Sequence, residues 1–170
     1  MTTKEVFEQV VRDHHAMIHR IAASYEARTA LVDDLVQDVY IAIWQALPAF
    51  RGESSIRTFV ARIATNRAIT HVARASRRPI NVELSEQLPA RDADPERQAI
   101  AQDRRARLSS AIRAMPLTYR HVALLALEGL TAREIADVLG ISPNAVAIRL
   151  SRAKDWLRAH METRCDRTSR

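Results

Sequence analysis

Glycine is scarce in this chain, three residues in 170, and proline is held to six. Sheet proteins use both residues freely in hairpins and turns, so this shortage argues against a β-rich fold. Alanine, arginine, leucine and isoleucine dominate instead, which predicts an all-α protein with almost no sheet. The lone Cys165 cannot close an internal disulfide, which fits a reducing compartment. No run of about eighteen apolar residues occurs, so no membrane insertion is expected. The opening MTTKEVFEQVV lacks the charged-then-apolar layout of a secretion signal, and the protein is expected to be cytoplasmic. Also missing are a glycine-rich phosphate loop, a nucleophile beside a base and a complete metal-ligand set. His15 and His19 stand four apart, but no cysteine or HExxH-like carboxylate completes a site around them. The chain is therefore expected to be no enzyme and to carry no metal or cofactor.

What is present in excess is positive charge, net +6, and it is unevenly placed. Residues 1–50 carry four basic against seven acidic side chains, whereas residues 51–78 carry seven against one. An acidic stretch over 79–103 then separates this first basic block from a second that runs through 104–170. A uniformly basic, non-specific DNA coater has no need of such alternation. Two nucleic-acid contacts with acidic surfaces between them account for it better.

The sharpest local signal is the stretch TAREIADVLGISPNAVAIRL at 131–150, which reads as a helix-turn-helix. Thr131 and Glu134 form a capping box that starts one helix, and Ile135, Ala136 and Leu139 give it an apolar stripe. Gly140 supplies a left-handed stop, and Ser142 with Pro143 opens the second helix. That second helix is expected to bury Val146, Leu150 and Ala153, which leaves Asn144, Ala147, Ile148, Ser151 and Arg152 on the outer face. Such a face fits a major groove.

Upstream, a first helix is expected from a Thr2–Glu5 capping box to about residue 24, with Phe7, Val10, Val11, Met17, Ile18 and Ile21 buried. His14, His15 and His19 fall at its surface or boundary. A second helix is expected from about 33 to 47. It buries Val36, Val39, Tyr40, Ile43 and Leu47 and shows Asp34, Gln37, Asp38 and Ile41 on the other face. Carboxylates at 33, 34 and 38 suit the helix dipole, but an apolar residue among them points to docking on a basic protein surface. A third helix, about 56–76, is expected to pack Phe59, Val60, Ile63, Ile69 and Val72 inward while Arg57, Arg62 and Arg67 crowd its surface with Asn66. Residues 79–94, PINVELSEQLPARDAD, hold no sustained period and read as a flexible linker. Two further helices, about 95–114 and 116–127, precede the helix-turn-helix.

These residues resemble the extracytoplasmic-function (ECF) sigma factors of bacterial RNA polymerase, within the sigma-70 family. DLVQDVY at 34–40, FRGESS at 50–55 and RIATN at 62–66 are similar to the family's region 2, and 130–154 to its region 4. The resemblance implies two small helical domains, region 2 over 1–78 and region 4 over 95–170, joined by the 79–94 linker. It implies three sets of contacts. Asp34, Gln37, Asp38 and Ile41 would dock on core RNA polymerase. Phe50, Arg57, Phe59, Arg62, Asn66 and Arg67 would read and open the −10 element of promoter DNA. Asn144, Ala147, Ile148, Arg149, Ser151, Arg152 and Lys154 would bind the −35 element as duplex. Apolar Ala147 and Ile148 can contact a thymine methyl but cannot hydrogen-bond guanine. The resemblance also implies control by an anti-sigma factor. The alternative reading is a dimeric helix-turn-helix regulator that binds an operator.

Overall fold

The computed structural model describes the backbone of residues 2–75 and 95–165 and the side chains of 2–75 and 104–161. The predicted linker, 79–94, lies outside the described residues. Within them the chain forms seven α-helices and no strand. They are α1 (Thr3–Tyr25), α2 (Thr29–Ala46), α3 (Ile56–Ala75), α4 (Pro95–Ala114), α5 (Leu117–Leu127), α6 (Ala132–Leu139) and α7 (Pro143–Cys165).

Helix α1 begins as its sequence dictates. The Thr2 hydroxyl accepts the Glu5 N–H, and the Glu5 carboxylate accepts the Thr2 N–H at 2.7 Å. Val10, Met17, Ile18 and Ile21 are buried along it, and Phe7 and Val11 are half-buried at its margin.

Helix α2 starts at Thr29, a full turn before the expected residue 33. Just ahead of it stands Glu26, which the periodicity did not single out. Its carboxylate accepts the backbone N–H groups of Ala27 and Arg28 at 2.9 and 3.0 Å and so orders the chain entering the helix. Burial works to raise the pKa of Glu26. Hydrogen bonds from the side chain and backbone of Arg28 and from His71 outweigh burial and hold it at about 2. Asp33 and Asp34 consequently lie beyond the first turn, which contains no acidic residue, and the helix dipole does not explain them. The helix also ends early, at Ala46, where Leu47–Ala49 tighten into a 3₁₀ turn around Pro48.

Along α3 the buried line is made of small residues, Thr58, Ala61, Ala64, Thr65 and Ala68, together with Val60. The expected large residues Phe59, Ile63, Ile69 and Val72 are only half-buried. Small side chains let α3 lie close against α1, and the larger ones fill the edges of that contact.

Helices α4–α7 form the second unit. The Arg120 guanidinium of α5 donates to the carbonyls of Arg113 and Met115 at the end of α4, the latter at 2.9 Å, and so fixes the α4–α5 corner. Helix α6 carries the predicted capping box, and Gly140 ends it in the left-handed region at φ +64°. Its buried residues are Ile135, Ala136 and Val138, and Leu139 is half-buried. A wider arc than the expected stripe is covered because α6 packs on α7 and α5 and also on α3 of the first unit.

That last contact was not foreseen. One apolar core runs without a break from α1–α3 into α5–α7, from Ile18 and Val60 to Val122 and Ile135. At the seam Tyr25, 8% exposed, stacks on His121 with ring centroids 5.6 Å apart, and its hydroxyl shares a short hydrogen bond with the imidazole Nδ1. Burial first, then the positive charges of Arg120 and Arg149, hold the His121 pKa at about 4, against an ordinary value of 6.5. A released His121 therefore binds a proton between those two values, whereas the packed one does not. The contribution of His121 to the packed form is complete above pH 6.5 and is lost as pH falls towards 4. Burial lowers His14 as well, with the same sign, so the informative quantity is a difference between proteins. We expect the thermal midpoint of His121→Gln to fall less between pH 7 and 5 than that of the parent. Parallel curves would remove His121 from the pH response.

Candidate nucleic-acid interface

On α2, Leu35, Val36, Val39 and Ile43 are buried against α1 and α3, and the opposite arc shows Asp34, Gln37, Asp38 and Ile41 to solvent. The sequence-predicted docking residues thus share one face. Ile41 is 55% exposed, and Trp44, 43% exposed, continues the same arc one turn on. Trp44 is held there by an edge-on contact with Phe7 of α1, with ring centroids 5.2 Å apart. Sequence reasoning passed over this tryptophan. The signal was available, because 37, 41 and 44 recur at helical spacing.

The loop at 50–55 and α3 build a second surface. Phe50 and Phe59 meet with ring centroids 4.6 Å apart, both half-buried, at the foot of α3. Arg62 and Asn66 follow on one line of the helix, with Arg67 beside them, and all three are exposed. An aromatic pair flanked by cations and a side-chain amide can stack an unpaired base, hold its phosphate and bond its edge. Arg57 does not join this group. Its guanidinium instead donates to the backbone carbonyl of Glu128, at the α5–α6 turn.

The third surface lies on α7. The Ser142 hydroxyl caps its start by accepting the Ala145 N–H at 3.1 Å. Val146 and Ala153 are buried, at 0% and 2% exposure, and fix the rotation of the helix. Asn144, Ala147, Ile148, Ser151, Arg152 and Lys154 are all exposed on the far side, with Arg149 half-buried at its edge. Ile148, 48% exposed, is a large apolar side chain turned to solvent at the centre of that arc.

These surfaces coincide with two matched family models. The model of Sigma-70 region 2 matches residues 10–78, and that of Sigma-70 region 4 matches residues 105–157. The ECF RNA polymerase sigma factor ShbA of Streptomyces griseus subsp. griseus is 31% identical over 170 aligned positions, gaps included, which cover 91% of this chain and 88% of ShbA. The chain belongs to the ECF sigma factors of the sigma-70 family. It is accordingly an RNA polymerase sigma factor that directs the core enzyme to promoters and initiates transcription. A second relative, the RNA polymerase sigma factor NccH of Alcaligenes xylosoxydans xylosoxydans, is 29% identical over 166 aligned positions, gaps included, which cover 92% of this chain and 87% of NccH. The solved structure of CnrH in complex with the cytosolic domain of CnrY has a TM-score of 0.71 at 28% identity, with 94% of this chain and 90% of that one covered. The sigma factor RpoE in complex with the anti-sigma factor NepR, from Bartonella quintana, has a TM-score of 0.74 at 18% identity and shares the fold over 93% of this chain and 98% of that one.

Proposed function

We propose a division of labour among the three surfaces of this sigma factor. Region 2, residues 1–78, docks on core RNA polymerase through Asp34, Gln37, Asp38 and Ile41, with Trp44 extending the contact. The same domain captures and opens the −10 element with Phe50, Phe59, Arg62, Asn66 and Arg67, and with Arg57 once that side chain is released from Glu128. Region 4, residues 95–170, reads the −35 element as duplex through Ala147, Ile148, Ser151 and Arg152, while Asn144, Arg149 and Lys154 meet phosphates. The chain supplies no catalytic group of its own and works in the cytoplasm. An anti-sigma factor is its regulator, a reading supported by the likeness to RpoE, solved in complex with the anti-sigma factor NepR.

The observation that carries the −35 assignment is the exposed arc of α7 opposite the buried Val146 and Ala153. Replacing Arg152 by alanine is expected to cost about 1–3 kcal/mol at the cognate −35 sequence and to relax selectivity at one base position. Lys154→Ala should weaken all sequences alike. Holoenzyme binding to promoters varied one base pair at a time separates the two outcomes. Equal, sequence-independent losses for both variants would end the base-reading role of Arg152.

A further inference from the structure

Helix α7 presents its solvent side in a fixed rotation, because Val146 and Ala153 are buried and Arg149 and Leu150 are half-buried beside them. The residues exposed on that side, Asn144, Ala147, Ser151, Arg152 and Lys154, are polar or small, and Ile148, 48% exposed, stands apart from them. Neither helix formation nor packing accounts for it. A β-branched side chain is a slightly unfavourable choice in an exposed helix, since the preceding turn restricts its χ1. Val146 and Leu150 join the apolar core without it. A lone isoleucine elsewhere on a surface needs no explanation. In the middle of a face that meets DNA it does, because a polar residue at that point could bond a base edge or a phosphate and isoleucine can bond neither.

What an aliphatic side chain can recognise in the major groove is a methyl group, and among the four bases only thymine presents one there, on C5. Ala147, the preceding residue, is exposed and adds no polar group of its own. A cytosine in thymine's place would lose the methyl contact and turn its N4 amino group towards a side chain that cannot accept a hydrogen bond. The position of that thymine follows from the helix. Arg152 lies four residues on from Ile148, about 6 Å along the axis at ~1.5 Å per residue, while base pairs stack ~3.4 Å apart. The two side chains therefore meet bases no more than about two pairs apart.

We propose that Ile148 reads a C5-methyl group. The −35 element carries, within about two base pairs of the base met by Arg152, a thymine whose methyl packs on Ile148, and 5-methylcytosine is accepted there in preference to cytosine. The inference rests on the −35 role proposed above for this face of α7. Recognition at this one point answers to a methyl group and not to a hydrogen-bonding pattern, so promoter choice is sensitive to base modification as well as to base sequence.

The test uses the full chain assembled with core polymerase on a promoter duplex that the holoenzyme transcribes. Each −35 thymine, on either strand, is replaced in turn by deoxyuridine, which removes the C5-methyl and leaves every hydrogen-bonding group in place. At one position binding should weaken roughly fourfold, the worth of one buried methyl. With Ile148→Ala, an exposed substitution of little consequence for folding, the thymine and uridine duplexes should bind alike at that position. 5-Methylcytosine there should bind more tightly than cytosine to the parent holoenzyme, and equally to the variant. The proposal is overturned if no position within about two pairs of the one relaxed by Arg152→Ala responds to uridine, if the response persists in Ile148→Ala, or if the parent does not distinguish the two cytosines. Arg152→Ala judges the −35 reading separately. Base selectivity left intact in that variant defeats the reading and the proposal with it, whereas relaxed selectivity together with indifference to uridine overturns the methyl contact alone.

Discussion

Deleting eight of residues 79–94 is expected to abolish transcription from promoters of normal spacing. Sixteen residues fully extended span at most about 53–58 Å, and eight span under about 30 Å. Two promoter elements about one and a half turns of B-DNA apart lie roughly 50 Å from each other, and each domain covers part of that gap. The full stretch can bridge what is left, and the shortened one cannot without giving up one element. Inserting eight Gly or Ser residues should do much less harm, because effective concentration falls only gradually with length. Run-off transcription on one promoter with altered spacings checks both. The shortened protein should regain activity only where the two elements are moved closer together, and full activity at normal spacing would contradict separate reading of two elements.

Asp38→Arg is expected to weaken binding to core polymerase roughly tenfold or more while leaving thermal stability nearly unchanged. The residue is exposed on α2, on the arc opposite Val39 and Ile43, so its replacement removes no core contact. Charge reversal at a complementary surface replaces attraction by repulsion, which is costly at an interface and almost without effect on the free protein. Trp44→Ala, at the other end of the same arc, should also weaken core binding. Titration of labelled core enzyme measures both, and wild-type affinity in Asp38→Arg would place the polymerase contact elsewhere.

Much of the fold was legible because its signals are local. The capping boxes at Thr2 and Thr131, the left-handed Gly140 and the Ser142–Pro143 start depend on residues within a turn of one another, and each helix they bound lies where the pattern puts it. The exposed faces of α2 and α7 were legible for the same reason, since 3.6-residue periodicity places Asp38 opposite Val39 and Ile43, and Arg152 opposite Val146, without reference to the rest of the chain. What escaped depends on long-range partners. Glu26 orders the start of α2 and also binds His71, 45 positions away. Glu128 reads as a helix-terminal surface residue until Arg20, 108 positions earlier, is seen to cover it. The small face of α3 was misjudged because periodicity ranks side chains by hydrophobicity, whereas close helix contact selects them by size. Trp44 lies beyond the charged run of α2, so a face defined by charge ends at Ile41 although helical spacing carries it on to residue 44.

Arg57 illustrates the distinction between type and placement. An arginine at the head of a basic helix, next to an aromatic loop, has the chemistry to meet DNA. Its guanidinium meets the Glu128 carbonyl instead.

The most direct measurement is in vitro transcription of genomic DNA fragments with the purified chain and core RNA polymerase, followed by sequencing of the transcript starts. Starts that depend on both proteins and share two upstream motifs at a fixed separation are the predicted result, with Arg152→Ala altering only the distal motif and Asn66→Ala only the proximal one. Sequence-specific DNA binding by the chain alone, with no starts that depend on core polymerase, would contradict the account.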